Sequence, residues 1–227
     1  MVTRRAASKG AISKAEVLAW LKKQGSPRVV EGMARYGLPT DGAVGISVGD
    51  LQKFAKRIGK NHGLALQLWK SGGYEARLLA TLIDDPKLVT TKQMNAWTAD
   101  FNSWGICDSA CFWLFDKTPF AYERALQWSK SPKEFVKRGG FALMASLALH
   151  DKAAGNERFL ALLPSIEEGA EDGRNFVKKG VSWALRGIGK RNPAMKSAAV
   201  KVAKRLASRE EAACRWVGKD ALRDLER

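Results

Sequence analysis

The chain has 227 residues, 45% hydrophobic and 27% charged, enough for one well-buried domain of ordinary globular composition. Thirty-nine Lys and Arg against 23 Asp and Glu leave a net charge of +16, a field that draws polyanions, nucleic acid before an anionic membrane surface. Three cysteines and two histidines without metal-ligand spacing argue against a disulfide scaffold and a zinc site, and no apolar run reaches the ~18 residues of a membrane helix.

Residues 1–12 carry basic groups but no apolar core, so they read as a disordered basic arm rather than a secretory signal; 13–227 read as the folded region. Ser13-x-x-Glu16, Ser47-x-x-Asp50, Thr90-x-x-Gln93 and Ser131-x-x-Glu134 are capping boxes or close relatives of one. Pro27, Pro119, Pro132 and Pro193 stand at plausible first helical positions, and Gly25, Gly37 and Gly218 read as stops. The pattern predicts helices over 13–24, 27–36, 48–59, 61–71, 74–84, 91–100, 103–116, 119–130, 132–150, 156–172, 175–191, 193–207, 208–217 and 219–226. No stretch alternates as a strand would. A succession of helices with short connections predicts an all-α fold, an α-solenoid of stacked antiparallel pairs, although no clean repeat period is visible. The segment 139–149 holds no charge, so its helix should be covered on most sides, as in a solenoid's inner row.

The region 175–191 is the most informative. Val177, Val181, Ala184 and Ile188 form its apolar stripe. At ~100° per residue, Lys179, Trp183, Arg186 and Lys190 line up on the other side. Trp normally hides its large apolar area, so one in a row of cations points to a ligand; the alternative is a Trp covering a neighbouring helix pair. From 174 to 205 there are ten Lys or Arg and no acid, while 151–173 holds six acids and two bases. Lys53, Lys56, Arg57 and Lys60 form a second acid-free cluster. Such segregation predicts one basic surface, with cations on phosphates and the aromatic ring on sugar or base. Base-edge readers are not evident, so sequence-specific recognition is not expected.

Between 101 and 115 the only charged residue is Asp108, with Trp104 four residues earlier on the same helix face. Asp is seldom buried without a partner. It could cap a helix starting at Ser109, pair with a structural Arg, or face a cationic substrate beside an aromatic wall. Arg138, just before the uncharged run, could be that partner or could clamp a phosphate bidentately. Cys107 and Cys111, one turn apart in an apolar run, read as core.

Met33-Ala-Arg-Tyr36, Ser103-Trp104-x-x-x-Asp108, Phe135-Val-Lys-Arg138, and Phe176-Val-Lys-Lys-Gly-Val-Ser-Trp183-Ala-Leu-Arg186 followed by Asn192-Pro193 resemble the AlkD family of DNA alkylation repair glycosylases, with order and spacing kept over roughly 30–205. Tyr-Glu-Ala-Arg at 74–77 has the same look. The resemblance implies a superhelix of HEAT-like helix pairs with a basic concave face, and excision of N3- and N7-alkylated purines from duplex DNA without base flipping. It implies that Asp108 is the catalytic carboxylate, that Trp104 and Trp183 pack on the lesion's deoxyribose, that Arg138 grips the backbone and that Tyr36 is a cleft tyrosine. No cofactor, metal, membrane or obligate protein partner is implied; a cytoplasmic monomer is expected. Gly105-Ile-Cys107 stands where the best-known members of the family have a second Trp and an extra acid, and Gly139, Gly180 and Gly187 would loosen the flanking helices. Some relatives only bind unusual DNA, so a non-catalytic binder of damaged or branched DNA is the alternative.

One carboxylate fits the chemistry. Glycosidases of sugars use two, one of them as an acid for the leaving group. An N7- or N3-alkylated purine is already cationic and departs neutral, so no acid is required. An ionised Asp108 would stabilise the positive charge moving onto the sugar and orient or deprotonate a water. At ~4 Å and an effective dielectric near 20 that attraction is on the order of 4 kcal/mol.

Overall fold

The computed structural model describes residues 12–227, and every regular element among them is helical. The arm expected over 1–12 lies, except for Ile12, outside the described residues. The helices are α1 (Lys14–Gln24), α2 (Pro27–Arg35), α3 (Val48–Ile58), α4 (His62–Lys70), α5 (Tyr74–Ile83), α6 (Thr91–Ala99), α7 (Trp104–Trp113), α8 (Ala121–Trp128), α9 (Glu134–His150), α10 (Asn156–Leu160), α11 (Leu163–Gly169), α12 (Asn175–Gly189), α13 (Pro193–Ala207) and α14 (Ala212–Leu225).

They fall into two compact units. The first comprises the residues up to Arg35 and Thr40–Asp84, hence α1 to α5. Ser13 closes the expected capping box on α1, accepting from Glu16 N while its own N–H donates to the Glu16 carboxylate. The core is Val17, Leu21, Leu51, Phe54, Leu64, Leu68, Leu78 and Leu79. Glu75 of the Tyr-Glu-Ala-Arg motif is a buried carboxylate that accepts from Val44 N at 3.1 Å and Gly45 N at 2.7 Å. It pins a loop in which Gly45 has φ +80° and a Cβ would lie 2.2 Å from the Ser26 carbonyl oxygen, so no other residue fits. In the cationic cluster, Lys53 pairs with Asp50 at 3.0 Å and Lys60 donates to the carbonyls of Leu82 and Asp84.

The second unit comprises Tyr36–Pro39 and Asp85–Arg227. Its spine is α9, buried without interruption from 138 to 148 between α7, α8 and α12. The absence of charge from 139 to 148 is explained by that burial; Leu149, the last residue of the uncharged run, is 49% exposed. Packing continues from α9 to α12 and from α12 to α14, with α11 and α13 alongside. Five hydrogen bonds between neighbouring helices share one separation. Arg138 to Phe176, Ser182 to Asp220, Arg186 to Asp224, Arg205 to Glu167 and Arg209 to Glu171 each span 38 residues. From α9 to α14 a common offset absent from the letter pattern is thus present in part of the contacts.

Several boundaries differ from expectation. The helix expected over 103–116 ends at Trp113 and gives way to a 3-10 turn at Phe115–Lys117, whose lysine caps the Phe112 and Trp113 carbonyls. The one expected over 156–172 is two, because Pro164 supplies no donor and opens a new helix. Pro119 and Pro132 precede their helices, and Ser131 accepts from Lys133 N rather than capping α9. Gly218 is not a stop. α14 runs through it, since a Cβ there would lie 2.3 Å from Ala207 N and 2.5 Å from Ala203 O: the glycine lets α13 and α14 touch. Gly139, Gly180 and Gly187 do not loosen their helices either, for α9 and α12 are unbroken and Gly180 abuts Arg138 and Phe141. Among the described residues no helix is long and apolar enough to cross a membrane.

Candidate nucleic-acid site

Ser103 starts α7 by accepting from Ile106 N, and the helical period then divides the helix. Ile106, Cys107, Ala110 and Cys111 turn into the core; Asp108 is half-buried. The thiols of Cys107 and Cys111 reach the Phe135 and Gly139 carbonyls at 3.4 Å, and burial pushes the Cys107 thiol up. Both are core residues, as their spacing suggested. Asp108 sits mid-helix, so the reading in which it caps a helix at Ser109 falls.

Asp108 meets Arg138 of α9 in a two-pronged pair. Arg138 Nε donates to Oδ1 at 2.8 Å and Nη2 to Oδ2 at 2.6 Å; its Nη1 donates to the Phe176 carbonyl at 2.7 Å. Burial pushes the Asp108 carboxyl up, and the adjacent guanidinium opposes that shift. Burial likewise works against the charge of Arg138, but the carboxylate beside it outweighs the penalty and raises its pKa. Arg138 is only 7% exposed. Its fork is closed on Asp108 instead of standing open for a phosphate, because a buried guanidinium takes the nearest carboxylate.

Asp108 and Arg138 border a cleft of about 310 Å³ that is also lined by Lys179, Trp183 and Arg186 of α12 and by Trp216 and Asp220 of α14. Trp183 is half-buried and Lys179 exposed. The structure therefore brings Asp108, Arg138, Trp183, Lys179 and Arg186 together. Trp104 lies outside that lining: one turn before Asp108, its indole N–H donates to the Tyr36 carbonyl at 2.8 Å. The Tyr36 side chain is 72% exposed. Lys190 also lies outside the lining and pairs with Asp224 at 2.6 Å, an acid that Arg186 reaches at 3.3 Å.

The contribution of α14 was not expected. Trp216, Asp220 and Asp224 recur four residues apart, the spacing of one helix face, but the break expected at Gly218 hides that face. A larger cavity of about 440 Å³, lined by Gln52, Ala55, Lys56, Gly59, Lys60 and Leu82, offers cations but neither a carboxylate nor an aromatic ring.

The model of a family described as DNA alkylation repair enzyme matches residues 17–225. The chain belongs to this family. It is 27% identical over 122 residues to an uncharacterized protein of Listeria innocua and 26% identical over 122 residues to one of Listeria monocytogenes, in each case 52% of this chain and 54% of the relative. The match thus spans about half the length of those curated relatives. Among solved structures, a member of a family related to the HEAT-like repeat DNA glycosylases, with affinity for branched DNA structures, superposes with a TM-score of 0.77 at 20% identity, covering 93% of this chain and 95% of that one. The fold of this DNA alkylation repair family member is therefore the HEAT-like helical repeat.

Proposed function

We propose that this member of the DNA alkylation repair enzyme family is a monofunctional DNA glycosylase that hydrolyses the N-glycosidic bond of cationic N3- and N7-alkylated purines in duplex DNA, without flipping the base. The observation that carries the reading is a carboxylate set in a cleft beside an indole and cations, with a guanidinium favouring its ionised form. The C1′–N bond breaks, its electron pair leaves with the purine, and the purine departs neutral. Asp108 stabilises the oxocarbenium that remains. A water adds its oxygen to C1′ and gives up a proton to Asp108 or solvent. A carboxylate has about four lone-pair sites, so the pair with Arg138 leaves two for the sugar and the water. Trp183, on the lining of the same cleft, adds a cation–π contribution of ~0.5–2 kcal/mol, and Trp104, one turn before Asp108 and bonded to the Tyr36 carbonyl, packs on the deoxyribose only as DNA enters. Lys179, Arg186, Lys190 and Tyr36 contact the DNA backbone, and Arg138 orients Asp108. The protein acts as a monomer, without a protein partner.

The test is release of N7-methylguanine and N3-methyladenine from methylated duplex DNA. Asp108→Asn is expected to bind DNA as the parent does and to lose on the order of 10³ in rate, the equivalent of about 4 kcal/mol. Equal release by parent and variant removes Asp108 from the chemistry. Uracil excised as fast as N7-methylguanine would contradict the scheme, since a neutral base needs an acid that this site lacks. A second reading, a non-catalytic binder of branched or damaged DNA, is favoured by one observation: both Asp108 oxygens already accept from Arg138, as in a purely structural pair. It gains support from the branched-DNA affinity of the family of the solved structure. Tight, salt-sensitive binding without base release from the parent would establish it.

A further inference from the structure

The face of α14 that carries Trp216, Asp220 and Asp224 lies in fixed register against α12. The Lys178 ammonium sits 5.0 Å from the centre of the Trp216 ring, Ser182 Oγ donates to Asp220 at 2.6 Å, and Arg186 Nη1 donates to Asp224 at 3.3 Å. Gly218, seated against Ala203 and Ala207, sets the rotation of the helix. The outcome is a half-buried indole on the lining of the cleft that holds Asp108 and Trp183. Trp20 and Trp113 are half-buried as well, and Trp20 spends its ring on Phe54; Trp216 differs in standing on the lining of the Asp108 cleft, as Trp183 does. Trp104, by contrast, stands off the cleft with its N–H committed to Tyr36.

We propose that Trp216 is a substrate-contacting residue, a second indole wall of the Asp108 cleft that takes the deoxyribose or the cationic purine of the lesion nucleotide. An indole face suits either, being flat, apolar and electron-rich. Lys178 and Lys179 stand beside it on α12 to draw the flanking phosphates. The inference rests on the reading of this cleft as the place where the lesion is handled.

The test compares the parent with Trp216→Ala and Trp216→Phe in two assays. One is single-turnover release of N7-methylguanine from duplex DNA. The other is affinity for a duplex containing a tetrahydrofuran abasic analogue, relative to the same duplex intact. Trp216→Ala is expected to slow release about 10-fold and to reduce the preference for the abasic duplex about 10-fold, the scale of one aromatic contact with a base or cation. Trp216→Phe, which keeps a flat ring, should stay within about threefold of the parent in both. Parental values for Trp216→Ala in both assays overturn the assignment while leaving the role of Asp108 intact. If the parent releases no base, the glycosylase reading falls, and the abasic preference alone decides Trp216: lost in the alanine variant, the contact stands; unchanged, it does not.

Discussion

Asp108 and Arg138 are opposite charges taken out of water together, and each sets the state of the other. Removing one partner of such a pair leaves an uncompensated charge, at a cost of roughly 3–5 kcal/mol. Arg138→Gln therefore does two things. It destabilises the fold by about that amount, and it removes the influence that opposes the burial-driven rise of the Asp108 carboxyl. The sign follows: the variant's Asp108 titrates at higher pH, and because the ionised form is the active one, the acid limb of its pH–rate profile moves to higher pH. Arg138→Lys, which keeps a charge but loses the fork, should fall between. Single-turnover excision measured across pH 4 to 8 is the check, and coincident acid limbs for parent and Arg138→Gln would show that Asp108 does not govern the rate. From sequence, Asp108 stood out because nothing near it is charged, and its need for a partner was clear. Arg138 was a candidate for that partner and equally for a phosphate clamp; the choice was not legible, because Arg138 lies 30 residues away and only the packing of α7 on α9 brings the two within reach.

At the level of elements, amphipathic period and caps made most helices legible, since a Ser or Thr side chain that satisfies an orphan N–H is a local device. What escaped was governed by tertiary contact. Gly218 reads as a stop in isolation and becomes a helix interior because α13 presses on it; with that error α14 disappeared, and with it the acids that face the α12 cations. Those acids carry a prediction. Lys190, by its hydrogen bond, and Arg186 hold the Asp224 carboxyl below its ordinary value, so Asp224 is an anion at neutral pH on the two cations that the proposed function gives to the DNA backbone. On that proposal DNA competes with it. Asp224→Asn frees Lys190, while Arg186 keeps Asp220 at 3.8 Å, and should tighten binding to undamaged duplex several-fold at low salt, with the slope of log affinity against log salt steepened by about one unit. Electrophoretic or fluorescence titrations at several salt concentrations measure both, and weaker binding by Asp224→Asn would mean that Asp224 positions the two cations and does not compete for them.

For the whole molecule, the 39 Lys and Arg overstate the cations free to meet DNA. Arg205 is paired with Glu167, Arg209 with Glu171, and Arg174 and Lys137 with Asp172. A cation already neutralised within the protein releases no additional counterion when a phosphate approaches, so it contributes little to the salt dependence. The distinction separates two roles that composition cannot. Lys179 is exposed at the mouth of the cleft; Lys179→Gln should lower the salt slope by about one unit and weaken binding uniformly across sequences. Arg138, whose fork is closed on Asp108, should leave the slope unchanged when replaced by Gln, although excision falls. If Arg138→Gln lowers the slope as Lys179→Gln does, Arg138 releases Asp108 in the complex and grips the backbone after all. The carboxylate would then lose its partner at the moment a cationic sugar replaces it, and the pair would be a latch opened by DNA instead of a fixed mount.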